Sequence, residues 1–232
     1  MAAPLPKLSG PVVPAQQGEA DSLIIFVHGY GADGNDLIAI GAHWARDLPT
    51  TAFIAPNGPE RCAGSPMGYQ WFPISRLSPE DMWAGVQSAG PILDAFIDEQ
   101  LAQRSLSEER LVLVGFSQGT MLSLHVALRR ARPLAALIGY SGLLAGPEHL
   151  ARDIQSRPPV FLAHGDADQV VPPQATPMAA ASLGEAGVSV IWHLSAGIGH
   201  GIAPDAMDAG ARFAGDALAG RLTGLVPGER LP

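Results

Sequence analysis

Six short apolar runs divide this chain, and the residues between most of them have helical spacing. The runs cover residues 22–29, 51–58, 110–116, 134–142, 159–165 and 188–194. Each run is continuous in apolar residues rather than alternating, which is typical of strands covered on both faces. Strands that alternate with helices pair in parallel, because each crossover returns the chain to the same end of the sheet. The pattern therefore predicts an α/β fold with a mostly parallel central sheet and helices on both faces.

Helices are predicted wherever apolar residues recur every three or four positions between these runs. The stretches are 36–48, 80–104, a segment beginning at Ser117, and segments near 174–186 and 205–220. We expect Pro91 to kink the second helix, since proline removes a helical hydrogen bond. A length of 232 residues suits one α/β domain. We assign residues 22–232 to that domain, and residues 1–21 to an extended N-terminal lead-in that can add one edge strand.

Charge and composition exclude several classes of partner. The chain has 14 basic and 22 acidic residues and a formal net charge of -8, so nucleic acid and anionic membrane surfaces are not expected partners. Stable membrane insertion is not expected either, because no run approaches the roughly 18 apolar residues of a membrane helix. Prolines interrupt the N-terminus where a signal peptide needs an apolar stretch. The single cysteine, Cys62, cannot form an internal disulfide, and we therefore expect a cytoplasmic protein.

The segment "GFSQG" at 115–119 fits the pattern G-x-S-x-G between a predicted strand and a predicted helix. A sharp turn there forces Ser117 into a strained conformation, and the flanking glycines avoid collisions with neighbouring elements. The hydroxyl is then exposed at the carboxyl end of the sheet, facing the positive end of a helix. The alternative is a serine that caps an ordinary turn. The surrounding strand and helix favour a nucleophile.

A serine nucleophile needs a histidine base, which follows the acid in the chain in this architecture. His193 lies inside a predicted strand and is better explained as a packed histidine. His200 lies in the glycine-rich segment "GIGHGI" after the last strand, where it can reach over the end of the sheet. We therefore predict His200 as the base.

Two aspartates follow the strand at 159–165, and either could orient that histidine. Asp166 comes so soon after the strand that we expect it to bond the N–H groups of its own turn. Asp168 is further out and is the predicted acid of the triad. His164, Asp166 and Asp168 are too closely spaced on one turn to suggest a metal site, and we expect neither a metal nor another cofactor.

The oxyanion hole requires two backbone N–H groups near the serine. The N–H of Gln118, directly after the nucleophile, is one candidate. The other is the N–H of Tyr30, in the loop "FVHGYGADGND", where Gly29 and Gly31 permit close approach to a substrate. His28 precedes this loop, and we expect it to hold the loop rather than take part in the chemistry.

With these residues assembled, the chain resembles the phospholipase/carboxylesterase family of α/β-hydrolases, which includes the acyl-protein thioesterases. The resemblance covers about residues 22–220 and is carried by "FVHGYGADGNDL", "YQWFP", "GFSQGTM", "HGDADQVVP" and "GIGHGI". It implies an α/β-hydrolase fold without a large cap domain. It also implies a triad of Ser117, Asp168 and His200, and it allows a homodimer.

One position departs from the family pattern. Acyl-protein thioesterases tend to have an aspartate after the Trp-Phe pair, whereas this chain has Pro73. Trp71 and Phe72 could line an acyl pocket, or they could pack into the core beneath their own loop. The other residues that we consider for the pocket are Leu37, Leu144 and Val170.

The sequence thus predicts a serine carboxylesterase that hydrolyses short to medium-chain esters through an acyl-enzyme. Its partner is a small-molecule ester or thioester substrate. An acyl-protein thioesterase or lysophospholipase with the same triad is the first alternative, because a thiolate leaves without much help from an acid. A non-catalytic protein that binds a small ligand is the remote alternative, since such a protein has no need of a complete triad.

Overall fold

Strands and helices alternate along the chain as the apolar runs predict. The computed structural model describes residues 4–75, 78–222 and 229–230. The strands are β1 (Val12–Val13), β2 (Ser22–Val27), β3 (Thr51–Ile54), β4 (Glu60–Cys62), β5 (Ser65–Gln70), β6 (Leu111–Phe116), β7 (Ala136–Tyr140), β8 (Val160–Gly165), β9 (Val190–Ser195) and β10 (Glu229–Arg230). The helices are α1 (Gly34–Trp44), α2 (Pro79–Arg104), α3 (Gln118–Ala127), α4 (Leu150–Asp153), α5 (Ala175–Glu185) and α6 (Pro204–Leu218). Each predicted strand and helix is present, with ends that differ by a few residues.

Eight of these strands form one sheet in the order β1-β3-β2-β6-β7-β8-β9-β10. The neighbours from β3 to β10 are parallel, and only β1 at the edge runs antiparallel to its partner β3. The predicted mostly parallel sheet is therefore confirmed, and β1 is the edge strand that the lead-in was expected to supply. Strands β4 and β5 form a separate antiparallel hairpin.

Helices cover both faces of the sheet because successive strand residues point to opposite sides. In β2, Leu23 and Ile25 pack into one core with α2, α3 and α5, whereas Ile24 and Phe26 pack into a second core with α1 and α6. All four side chains are fully buried. This burial on both faces explains why the strands appear in the sequence as unbroken apolar runs.

Helix α2 begins and ends at recognisable capping residues. The hydroxyl of Ser78 accepts a hydrogen bond from the N–H of Asp81, and the left-handed residue Ser105 ends the helix. The helix passes Pro91 as one element of 26 residues. Among the residues that the structure describes, no helix is long and apolar enough to cross a membrane.

The carboxyl ends of β2, β6, β8 and β9 lie at the same edge of the sheet, because these strands are parallel. The loops after these four strands carry the candidate residues of the functional site. The hairpin of β4 and β5 approaches the loop after β2 through a bridge between Ala32 and Tyr69. This edge is where α/β sheets bind their ligands.

Candidate active site

Ser117 occupies the sharp turn between β6 and α3. Its backbone has φ 52° and ψ -114°, a strained conformation of the kind that costs a non-glycine residue about 1–3 kcal/mol. Close packing enforces the turn. A Cβ at Gly119 would lie 1.9 Å from the carbonyl oxygen of Val27, and one at Gly115 would lie 2.5 Å from the backbone nitrogen of Thr120. Only glycine fits at both positions, so the surrounding backbone holds the serine in its strained conformation.

The side chains of Ser117, His200 and Asp168 form a continuous chain of hydrogen bonds. His200 Nε2 lies 3.0 Å from Ser117 Oγ, and His200 Nδ1 lies 2.7 Å from Asp168 Oδ2. The three residues follow β6, β9 and β8 respectively. With the Nδ1 proton directed at the carboxylate, Nε2 can accept the serine proton. This arrangement can convert the serine hydroxyl into a nucleophile.

Asp168 is bonded through both carboxylate oxygens, and its side chain is 0% exposed. Oδ1 accepts hydrogen bonds from the N–H groups of Val170 at 2.8 Å and Val171 at 3.0 Å. Oδ2 accepts from His200 and also from Nε2 of His164, 3.0 Å away. Burial acts to raise the pKa of Asp168, but the hydrogen bonds from His200 and the two N–H groups outweigh it, and the pKa is lowered. Asp168 is thus held ionised beside His200.

Asp166 does not bond its own turn, and here the sequence-based expectation is wrong. Asp168 makes the turn bonds instead, to the second and third residues after it. Asp166 Oδ1 accepts a hydrogen bond of 2.6 Å from the N–H of Gly197, in the loop that carries His200. The physical reason is that β8 and β9 end side by side, with Gly165 paired to Ser195, so the carboxylate reaches the neighbouring loop first.

His193 lies in β9 and is bonded away from the serine. Its Nε2 is 2.7 Å from Oδ2 of Asp205 at the start of α6, and Ser195 donates to the other oxygen of Asp205 at 3.0 Å. These bonds join the two ends of the loop 196–203, which carries His200. Burial acts to raise the pKa of Asp205, but the bonds from His193 and Ser195 outweigh it and lower the pKa.

Tyr30 and Gln118, the two predicted oxyanion donors, both lie next to the serine. A Cβ at Gly29 would come within 3.4 Å of the Cβ of Ser117, so the loop of Tyr30 passes directly beside the turn. Gln118 is the first residue of α3, where backbone N–H groups have no acceptor within the helix. Gly31, at φ 78°, turns the loop back, and its N–H donates to a carbonyl of β5 at 2.9 Å.

His28 holds the loop of Tyr30 through hydrogen bonds on both ring nitrogens. Nε2 accepts from the N–H of Gly58 at 2.9 Å, so Nδ1 carries the proton and donates to the carbonyl of Gly29 at 2.7 Å. The indole of Trp71 donates to the carbonyl of His28 at 3.0 Å. Burial lowers the pKa of His28, which keeps the ring neutral and this tautomer in place.

The side chain of Gln118 has a structural role that the sequence did not reveal. Oε1 accepts from the N–H of Trp71 at 2.9 Å, and Nε2 donates to the carbonyl of Phe72 at 2.8 Å. The amide thus ties the serine turn to the segment after β5. Glutamine is mostly found exposed, whereas Gln118 is 0% exposed. Nothing in a single sequence indicates that this glutamine is buried.

Trp71 and Phe72 pack into the core rather than into an open acyl pocket. Each is 1% exposed. The ring of Phe72 lies against Gly85 of α2, where a Cβ would approach it to 2.2 Å. Of the two roles considered for this pair, the structure therefore supports core packing. The expectation that they line the acyl pocket is corrected, because the ring of Phe72 packs against α2 and that of Trp71 against His28.

Leu37 lines a cavity of about 280 Å³ beside the serine. The other lining residues are His28, Gly29, Ala32, Asp36, Ile40, Phe116, Ile202 and Met207. Leu144 is half-buried against the core, and Val170 is exposed directly after the turn of Asp168. Two larger clefts, of about 580 and 520 Å³, lie away from the hydrogen-bonded triad, beside α2 and α3 and between α1 and α6.

Known proteins are similar to this chain along most of its length. A family model described as Phospholipase/Carboxylesterase matches residues 8–215. Acyl-protein thioesterase 1 of Gibberella zeae is 27% identical over 215 residues, which cover 85% of this chain and 91% of that protein. Acyl-protein thioesterase 1 homolog 1 of Dictyostelium discoideum is 28% identical over 198 residues, which cover 82% and 88%.

Solved structures agree with these sequence comparisons. The crystal structure of esterase PE8 is 46% identical, with a TM-score of 0.88, and covers 91% of this chain and 99% of that chain. Acyl-protein thioesterase 2 of Zea mays, 24% identical with a TM-score of 0.70, covers 92% and 99% and supports the fold alone. These findings confirm the resemblance and the α/β-hydrolase fold predicted from the sequence, with no large cap among the residues described. The chain therefore belongs to the phospholipase/carboxylesterase family and is a serine hydrolase.

Proposed function

We propose that this chain is a carboxylesterase that hydrolyses short to medium-chain carboxylic esters through an acyl-enzyme on Ser117. The observation that carries the proposal is the hydrogen-bonded chain from Ser117 Oγ through His200 to Asp168 Oδ2, with distances of 3.0 and 2.7 Å. Ser117 Oγ can therefore pass its proton to His200 Nε2, and His200 Nδ1 can direct its proton at Asp168 Oδ2.

Acylation begins when Ser117 Oγ attacks the carbonyl carbon of the ester and His200 Nε2 takes the hydroxyl proton. The carbonyl oxygen becomes an oxyanion, which the N–H groups of Tyr30 and Gln118 stabilise. Asp168 keeps the His200 Nδ1 proton in place and stabilises the imidazolium. The tetrahedral intermediate then expels the alkoxide, which takes the proton from Nε2 and leaves as an alcohol.

Deacylation repeats these steps with water. His200 Nε2 removes a proton from water, and the hydroxide attacks the acyl carbonyl carbon of the ester on Ser117. The second tetrahedral intermediate expels Ser117 Oγ, which recovers its proton from His200. The products are the carboxylic acid and the free enzyme, so the cycle needs no cofactor.

The cavity beside the serine supports a short or medium acyl chain. Its volume of about 280 Å³ is below the roughly 300–1,000 Å³ of pockets that enclose drug-sized ligands. Gly29 and Phe116 adjoin Ser117, whereas Leu37, Ile40 and Met207 form an apolar boundary. A short chain would bury its apolar surface there, and each further methylene beyond that boundary would stay in water and add no binding energy.

A second candidate is a thioesterase that acts on acylated proteins. Curated relatives named acyl-protein thioesterase 1 match more than four-fifths of the chain, 85% and 82% in two cases. Pro73, at the position where such enzymes tend to have aspartate, favours the ester. A thiolate is a better leaving group than an alkoxide, so the triad alone serves both substrates.

The test is a series of initial rates on p-nitrophenyl esters from acetate to palmitate, with matched thioesters and with Ser117→Ala alongside. We expect the highest kcat/KM on short to medium chains and a loss of roughly 10⁴- to 10⁶-fold in Ser117→Ala. A preference for palmitate or for the thioesters would favour the second candidate. A Ser117→Ala enzyme that keeps more than about a tenth of the activity would rule out both.

A further inference from the structure

A second histidine, His164, contacts the predicted catalytic aspartate from the interior. It is the penultimate residue of β8, and its side chain is 0% exposed. Its Nε2 lies 3.0 Å from Oδ2 of Asp168 and 3.0 Å from the carbonyl oxygen of Val171. Its Nδ1 lies 2.8 Å from the hydroxyl of Thr176 in α5. The mechanism above has no step for this residue.

These contacts determine where the proton of His164 lies. Nε2 faces two oxygens that can only accept, the ionised carboxylate of Asp168 and a backbone carbonyl, so Nε2 carries the proton. Nδ1 is then the acceptor, and the hydroxyl of Thr176 is its donor. Burial is the main cause that lowers the pKa of His164, and it outweighs the neighbouring carboxylate. The ring is therefore a neutral donor to Asp168.

We propose that His164 is a positioning residue for the reaction, and that its Nε2–H fixes Oδ2 of Asp168 in the place where that oxygen accepts the proton of His200 Nδ1. The proposal rests on the proposed function, because it assigns a role within the same triad. Thr176 belongs to the same arrangement, since its hydroxyl donates to Nδ1 and holds the ring in the orientation in which Nε2 meets Oδ2.

The geometry of Asp168 explains why a second donor matters. Oδ1 is held by two backbone N–H groups from the turn. Without His164, the only described donor to Oδ2 would be His200, which sits on a loop. With His164, both oxygens are anchored, Oδ1 to the backbone of the turn and Oδ2 to β8. The carboxylate plane is then fixed independently of the loop, and His200 is aligned by it.

The second donor also sets how strongly Asp168 attracts a proton on His200. Within the described part of the chain, two titratable side chains face the carboxylate, His200 from the loop after β9 and His164 from β8, while Asp166 points to Gly197. A bond from His164 takes up part of the negative charge on Oδ2. When that bond is lost, the full negative charge of Oδ2 acts on His200 and stabilises its protonated imidazole. The acid limb of the rate profile, where His200 must be neutral to act as a base, then moves to higher pH.

The test compares two pairs of variants on a short p-nitrophenyl ester. His164→Phe removes the donor and keeps a ring, whereas His164→Gln can place an amide N–H near the position of Nε2. We expect His164→Phe to lose about 10- to 100-fold in kcat/KM, mainly in kcat, with its acid limb shifted to higher pH. We expect His164→Gln to recover most of the rate and the wild-type limb.

Thr176→Val and Thr176→Ser form the second pair. They test the proposed role of His164 even if His164→Phe does not fold. Thr176→Val, which removes the donor to Nδ1 and leaves the ring less firmly oriented, should lose about 3- to 10-fold in kcat/KM and shift the acid limb in the same direction. Thr176→Ser keeps the hydroxyl and should match the wild type.

A role limited to packing predicts a different result. A His164→Phe enzyme with a lower melting temperature but an unchanged acid limb and kcat per folded molecule would overturn the proposal. So would a Thr176→Val profile that coincides with that of Thr176→Ser.

Ser117→Ala in the same assay distinguishes a failure of the proposed function from a failure of the proposed role of His164. Activity that survives in Ser117→Ala overturns the proposed function, and the role of His164 with it. If the activity depends on Ser117 but the pH–rate profile of His164→Phe is unshifted, only the proposed role of His164 is overturned.

Discussion

The turn around Ser117 and the loop around His200 look alike in the sequence but are held by different forces. Both place the candidate residue near glycines, in "GFSQG" and in "GIGHG". A Cβ at Gly119 would collide with the backbone of β2 at 1.9 Å, whereas a Cβ at Gly199 or Gly201 would have no described atom within 4 Å. The glycines around the serine are therefore required by packing, and those around the histidine are not.

Side-chain hydrogen bonds hold the histidine loop instead. Asp166 accepts from the N–H of Gly197, Ser141 donates to the carbonyl of Gly201 at 2.9 Å, and Asp205 accepts from the end of β9. Backbone packing is rigid, because any added atom meets other backbone. Side-chain bonds can be weakened one at a time. The comparison implies that the proposed nucleophile, Ser117, tolerates almost no change around it, while the proposed base, His200, depends on several small contributions.

The largest effect is expected from Gly119→Ala in the serine turn. Alanine is favoured over glycine in a helix by about 1 kcal/mol. The collision with the carbonyl of Val27 outweighs this gain, because neither backbone can move without breaking β2 or α3. We expect the free energy of unfolding to fall by about 3 kcal/mol or more, measured by urea denaturation. A Gly119→Ala protein as stable as the wild type would mean that the turn is not held by packing.

A smaller effect is expected from Asp205→Asn, which keeps the shape of the clamp at the ends of the histidine loop. The amide can accept from only one of Ser195 and His193. Unfolding free energy should fall by about 1 kcal/mol, and kcat/KM by roughly 3- to 10-fold because His200 is less well placed. Asp208→Asn, on an exposed face of the same helix with His43 4.0 Å away, is the control. Equal losses in both variants would contradict a specific role for the clamp.

Acid should weaken the same clamp by no more than the substitution does, because a protonated carboxyl, like the amide, accepts through only one oxygen. The pKa of Asp205 in the folded protein is lowered from its ordinary value of 3.8. Its contribution to stability is therefore complete above that value and is lost as the pH falls through the folded pKa. The difference in unfolding free energy between wild type and Asp205→Asn should therefore shrink as the pH falls below 3.8. A difference that grows as the pH falls below 3.8 would contradict the lowered pKa of Asp205.

The smallest effect is expected from Gly199→Ala in the histidine loop. The added methyl group meets no described atom within 4 Å, and the backbone there is outside the left-handed region. Alanine reduces the freedom of the unfolded chain, so stability should stay the same or rise by about 0.5 kcal/mol. The activity should remain close to that of the wild type. A loss comparable to that of Gly119→Ala would erase the contrast between the two segments.

The scaffold could be predicted from the sequence because its signals are local. Buried strands such as β6 are unbroken apolar runs, and "GFSQG" marks the junction with α3. Ser117, Asp168 and His200 come together at one edge because β6, β8 and β9, the strands that precede them, are parallel. These features depend on residue type and spacing, which one sequence contains.

The contacts that hold the site residues in place could not be predicted, because they depend on which side chains meet across the fold. Asp166 and Asp168 differ by two positions, and only the pairing of β8 with β9 decides which one reaches the neighbouring loop. The burial of Trp71 and Phe72 depends on where α2 passes. The contacts of Gln118 and His164 join residues that are distant in the chain or lie on opposite sides of a turn.

The most direct test of the central claim is to label the enzyme with a fluorophosphonate, which reacts with an activated serine hydroxyl. Mass spectrometry then locates the adduct, while loss of p-nitrophenyl ester hydrolysis is followed in the same samples. We expect one adduct per chain, on Ser117, formed in proportion to the loss of activity and absent from Ser117→Ala. An enzyme that is inactivated through another residue, or that remains active with Ser117 fully labelled, would contradict it.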